Sequence, residues 1–150
     1  MDTIRYDLKT LNRQFHLASK QKTASTNNLI ALLEQTFPGV RKCFDSPVRS
    51  DDSQKWVDFV ITFWHADCVR KYSKEAFAER YQKWCKRHGY FVRSNTVEKV
   101  YTLAKNAVVL VPKSQTAKVI VQEAAKQLTA ISRSVELYRT EMNRLAAMLL

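Results

Sequence analysis

Glycine and proline are scarce in this chain, with two glycines and three prolines among 150 residues. Tight turns draw on both, glycine for left-handed backbone and proline for a preset φ. So little of either excludes a sandwich, a barrel or any loop-rich fold. Long apolar runs are missing too; none approaches the roughly 18 residues of a transmembrane helix, so no membrane span is expected. The opening MDTIRYDLK lacks the apolar core of a secretory signal. Cys43, Cys68 and Cys85 are odd in number and irregular in spacing. They form no disulfide framework, and a reducing cytoplasmic setting follows. Catalytic signatures are absent as well: no Walker loop, no G-x-G-x-x-G and no G-x-S-x-G. Asp51 and Asp52 are adjacent carboxylates, but they sit among turn residues and are expected to cap a helix starting near Ser53.

What the chain does hold is positive charge: 25 Lys and Arg against 14 Asp and Glu, a net charge of +11. A balance of that kind points to a polyanion as partner, nucleic acid first and an anionic membrane surface second. The charge is concentrated. Arg70, Lys71, Lys74, Arg80, Lys83, Lys86, Arg87 and Arg93 fall in one segment, opposed only by Glu75 and Glu79. Tyr72, Phe77, Tyr81, Trp84, Tyr90 and Phe91 interleave with them. Cations of this density neutralise phosphates and release counterions, and aromatic faces stack on unpaired bases. The eight basic residues are therefore the candidate phosphate contacts. Phe77, Tyr81 and Trp84 have the spacing of a buried stripe and belong to a core. Tyr90 and Phe91, beside Gly89, could serve either purpose.

The apolar pattern is helical. Ile4, Leu8, Leu11, Phe15, Ala18, Leu29, Leu32 and Leu33 step by threes and fours, with Lys22 and Ser25 as a polar gap, until Pro38-Gly39 ends the run. This predicts a long first helix over residues 3–37. Ser114 can N-cap a second long helix over residues 114–150. Its seam of Val121, Ala124, Leu128, Ile131, Val135, Tyr138, Met142, Leu145 and Leu149 keeps strict three–four spacing, as a coiled-coil strand requires. Two helices of roughly 50 Å each are most simply paired antiparallel. Residues 40–112 would form a small basic and aromatic helical insert at one end. Within it, Trp56, Phe59, Val60, Phe63 and Trp64 mark a short amphipathic helix. Ser73 and Gly89 bracket another. Asn95 with Glu98 is a capping pair for a third, which the β-prone Val108–Val111 stretch would end early. The fold expected is thus all-α, a single helical unit. Its seams allow pairing within one chain or between two, and a homodimer through the long helices is the expected assembly.

One metal-like spacing needs weighing. His65-x-x-Cys68 and Cys85-x-x-His88 offer two nitrogens and two sulfurs, the ligand set of a structural zinc site. The order of the ligands is unusual, however, and the surrounding aromatics can build a core without metal. No cofactor and no small-molecule substrate are expected.

The order of segments also resembles a known family. IRYDLKTLNRQFHLASKQKTASTNNLIALLEQTFPGV opens the chain, WVDFVITFWHADCVRKYS and AFAERYQKWCKRHGY follow, and VQEAAKQLTAISRSVELYRTEMNRLAAML closes it. This resembles the helical middle of the DEDD-type bacterial insertion-sequence transposases related to the Piv invertase. In these proteins a RuvC-like domain precedes the helical region and a serine-bearing transposase domain follows it. The resemblance implies a non-catalytic connecting region of an RNA-guided DNA recombinase, serving self-association, domain spacing and contact with RNA or DNA. Neither Asp2 nor Asp7 matches the family's carboxylate motif, and its serine region has no counterpart here. The resemblance therefore implies a fragment that is not an enzyme by itself, and it places no catalytic residue. An independent basic scaffold or adaptor that binds another protein is the alternative.

Overall fold

The computed structural model describes residues 2–45, 49 and 52–150, and among these every regular element is a helix. Two long helices, α1 (Asp2–Thr36) and α6 (Gln115–Ala147), pack closely along each other. Between them come a short 3-10 turn (Val40–Cys43) and four further helices: α2 (Lys55–Thr62), α3 (Asp67–Arg70), α4 (Lys74–His88) and α5 (Ser94–Asn106).

The helix boundaries follow local chemistry. α1 stops at Thr36, and Gly39 then takes the left-handed backbone (φ 79°) that reverses the chain. Its last carbonyls are closed by distant amides: Ala66 N–H donates to Thr36 O at 3.0 Å, and Leu110 and Val111 N–H both donate to Gln35 O at 3.0 and 3.2 Å. α4 starts where Ser73 Oγ accepts from Ala76 N–H, and Gly89 ends it in a left-handed C-cap (φ 72°). α6 starts where Ser114 Oγ accepts from Ala117 N–H. The early end expected of the last insert helix is present: α5 stops at Asn106, and residues beyond it run extended past the end of α1.

Two sequence expectations fail here, and a third lies partly outside the described residues. Of the Asp51-Asp52 cap only Asp52 is described: it adopts φ 67°, and the N-cap position of α2 is taken by Gln54. Gln54 gives its side-chain oxygen to the Trp56 indole N–H instead. The Asn95–Glu98 capping pair is absent, because α5 begins two residues earlier, with Arg93 at the N-cap position, and Glu98 pairs with Lys74. Finally, Phe63 and Trp64 carry the apolar stripe of α2 but lie beyond its last turn. They are buried by the chain bend into α3, a helix of four residues too short to show a period.

The core sits where the insert meets the facing halves of α1 and α6. Phe59 is fully buried at its centre, with Phe44, Phe63, Tyr81 and Trp84 around it at centroid distances of 4.6–6.0 Å. Leu29, Leu33 and Phe37 enter from α1, and Val121, Ala124, Ala125 and Leu128 from α6. Gln122 Nε2 donates to Ile61 O, tying α6 to the end of α2. Along α6, Val121, Leu128, Val135 and Leu145 are buried, whereas Ile131, Tyr138 and Met142 are half-buried. Ala125 and Ser132 are buried too. The inward stripe is therefore wider than a two-position seam, because this part of α6 faces α2 as well as α1. Towards the other end the pairing thins. Ile4, Leu8, Leu11 and Phe15 of α1 are half-buried, and the Arg139 guanidinium lies 5.4 Å from the Phe15 ring.

Candidate nucleic-acid interface

The basic residues of the insert do not act as one surface. On α4, Arg80, Lys83 and Arg87 recur at i, i+3 and i+7 and share one face. Opposite them stand Lys71, Lys113 and Lys118, the last in the first turn of α6. These six cations line one open cleft of about 640 Å³, and among the described residues no carboxylate lines it. Its wall includes Phe63, Trp64, Tyr72 and Trp84. Arg80 lies over the Tyr72 ring at 4.2 Å, and Lys113 lies 6.0 Å from the Trp64 ring. Those aromatic faces are thus already partnered, and the cleft presents cations more than rings. Ser114 and Gln115 bring the start of α6 to the rim. There the positive end of a long helix favours an anion. Lys83 has one competing partner, Glu79 at 3.2 Å, in an exposed pair that is worth little.

The other basic candidates go elsewhere. Arg70 turns inward, to the Asp67 carboxylate and to the carbonyls of Ala104 and Ala107 at 3.3 and 2.9 Å. It staples α3 to the end of α5. Lys74 is paired with Glu98 across α4 and α5. Lys86 is exposed but lines neither this cleft nor the next. Arg93 belongs to a second basic cleft of about 510 Å³, together with Lys42, Arg49, Lys55 and Lys99 and the carboxylate of Asp45. Lys113 and Lys118 were missed by the sequence reading. They lie far along the chain from the basic segment, and only the return of α6 brings them to it.

The second cleft is built differently. The Lys55 ammonium lies 5.1–5.9 Å from the rings of Phe44, Tyr81 and Tyr90 and donates to Phe91 O at 2.9 Å. Burial against these rings holds its pKa below the usual lysine value, with Arg93 adding to the effect and Cys85 opposing it. Arg49 donates to His88 O at 2.8 Å and stacks on Tyr90 at 4.4 Å. Tyr90 is covered on its other side by Trp84, at 5.4 Å and nearly parallel, and its hydroxyl donates to Asp58.

The four candidate metal ligands do not converge. Asp67 N–H donates to His65 Nδ1 at 3.0 Å, and His65 Nε2 donates to Val111 O at 2.8 Å, so both ring nitrogens of this buried residue are occupied. His88 stacks on Trp84 at 4.8 Å. Among the described residues no three His, Cys, Asp or Glu side chains come together as a metal site. Cys43, Cys68 and Cys85 are free and buried, and burial raises the pKa of each thiol. A raised pKa leaves less thiolate at neutral pH, and burial blocks access. In native protein at pH 8 all three thiols should therefore react slowly with a chromogenic disulfide reagent. In denaturant all three should react at once. Rapid native labelling of even one thiol would contradict this packing.

No helix among the described residues is long and apolar enough to cross a membrane. No family model, curated protein or solved structure matches the chain.

Proposed function

We propose that this protein is a non-catalytic nucleic-acid-binding unit, in which a helical head grips the phosphate backbone and α1 with α6 forms an antiparallel coiled-coil stalk. The observation that carries the reading is the first cleft, where six cations from α4, the α3–α4 turn and the start of α6 converge with no carboxylate among the described lining residues. Cations gathered from three parts of the chain repel one another in the absence of a ligand. A phosphodiester backbone supplies the missing negative charge and releases counterions as it binds. The covered aromatic faces of the cleft favour contact with phosphate over contact with bases, and hence binding with little sequence preference.

Such a unit fits the role that the resemblance implies: a connecting region of a DEDD-type transposase that contacts RNA or DNA and spaces the flanking domains. Copies pair through the stalk end, where Ile4, Leu8, Tyr138 and Met142 remain half-buried in a single chain. The test is a titration of the protein with a structured RNA and with duplex DNA across a range of salt. Affinity should fall steeply and log-linearly with salt, with a slope that counts the phosphates engaged. If neither polymer binds at low salt, the cleft is a solvated surface and the adaptor reading takes its place.

A further inference from the structure

Phe91 stands out from every other aromatic in the head. Its side chain is 89% exposed, and no ring or cation among the described residues packs on it. The neighbouring Tyr90 has both faces covered, by Trp84 and Arg49. The backbone that carries Phe91 is nevertheless fixed. Gly89 turns the chain out of α4 with left-handed backbone, Arg49 holds the carbonyl of His88, and Lys55 holds the carbonyl of Phe91 itself. A Cβ at position 89 would also come within 3.3 Å of the Arg49 guanidinium, so the turn and its clamp are closely fitted. An apolar ring is thus held out into water at the edge of a cleft that Lys42, Arg93 and Lys99 also line.

We propose that this second cleft is a site for single-stranded nucleic acid, in which an unpaired base stacks on Phe91 while the adjoining phosphates lie on Lys42, Arg93 and Lys99. The inference rests on the nucleic-acid reading of the head and adds to it a preference for unpaired strands. Its physical basis is the division of labour between a free aromatic face, which accepts any base, and nearby cations, which follow the backbone. A duplex hides the faces of its bases within the stack and cannot use Phe91. The first cleft, whose rings are already covered, has no such preference. Trp84 joins the two sites, lining the first and stacking on Tyr90 of the second. A strand could therefore pass around the C-terminal end of α4 from one to the other. Arg49 and Lys55 are positioning residues in this arrangement, since they hold the loop.

The experiment measures binding of the full chain to a labelled single-stranded RNA, a single-stranded DNA of the same sequence, and the blunt duplex. Wild type is compared with Phe91→Ala and Phe91→Tyr. Phe91→Ala should weaken both single strands by about tenfold or more while leaving duplex affinity and the salt slope unchanged. Phe91→Tyr, which keeps an aromatic face, should retain wild-type affinity. The RNA and DNA arms show which strand the site takes. Equal losses for single strand and duplex, or no loss for either, would overturn the stacking site and leave the first cleft standing. So would a loss that tyrosine fails to restore. Failure of every polymer to bind wild type would overturn both readings. If binding is intact and Phe91→Ala has no effect on it, the exposed ring belongs to a protein contact.

Discussion

Leu128→Asp is expected to unfold the protein. Leu128 is 4% exposed and lies in the same core as Leu29, Phe59 and Trp84. The substitution removes the apolar side chain, at a cost of about 2–5 kcal/mol from lost burial and the cavity left behind. It also places a carboxylate in that apolar core, which adds a penalty or forces the acid to stay protonated. Together these approach or exceed the entire stability of a typical domain, about 5–15 kcal/mol. A matched control lies on the same helix: Leu137 is 70% exposed, and Leu137→Asp should change stability by no more than about 0.5 kcal/mol. Denaturant melts of the two variants read the difference directly. A wild-type midpoint for Leu128→Asp would mean that the face of α6 assigned to the core is wrong.

A second large effect is expected from reversing charge in the first cleft. Lys83→Glu, Arg87→Glu and Lys118→Glu together would leave Lys71, Arg80 and Lys113 as its cations and introduce three carboxylates beside them. The positive field proposed to gather phosphate is then cancelled. Three lost ion contacts should flatten the plot of log affinity against log salt by about 2 to 3. At moderate ionic strength the loss of affinity should exceed about a hundredfold. The side chains involved are on the surface, so the melting temperature should change little, which separates loss of binding from loss of fold. Lys86→Glu supplies the comparison, because Lys86 is on α4 but outside the cleft. It should have a much smaller effect than Lys83→Glu alone. Equal effects would show that only the summed charge of α4 matters and that the cleft has no special geometry.

Much of the scaffold could be read from local chemistry. The long helices declare themselves through three–four spacing, and Ser73, Gly89 and Ser114 mark ends at which the structure places caps. These are properties of a few adjacent residues, which is why a linear reading reaches them. Arg70 and Lys74 show where that reading stops. Both are basic residues in a basic segment, yet one is turned towards carbonyls of α5 and the other is paired with Glu98, partners about 24 to 37 positions away. The composition of a segment counts their charge but cannot say what neutralises it. Lys113 and Lys118 fail in the opposite sense: nothing near them in the sequence suggests a binding site, and tertiary packing alone delivers them to α4. Tyr90 and Phe91 are adjacent and similar in character, and the turn at Gly89 separates their fates, one ring stacked inside and one left in water.

The carbonyl at the end of α1 that receives two amides from beyond α5 bears on how the chain reaches its native state. Leu110 and Val111 donate to Gln35 O, while Ala66 donates to Thr36 O. The last turn of α1 is therefore completed by segments that arrive much later in the chain. Bringing the two long helices together means closing a loop that contains all of the intervening elements, at an entropic cost on the order of 4 kcal/mol on a logarithmic law. Prior collapse of the intervening helices around Phe59 shortens that loop and lowers the cost. The expected order of assembly is thus head first and stalk second, with α1 and α6 zipping outward from the end that the head has already joined.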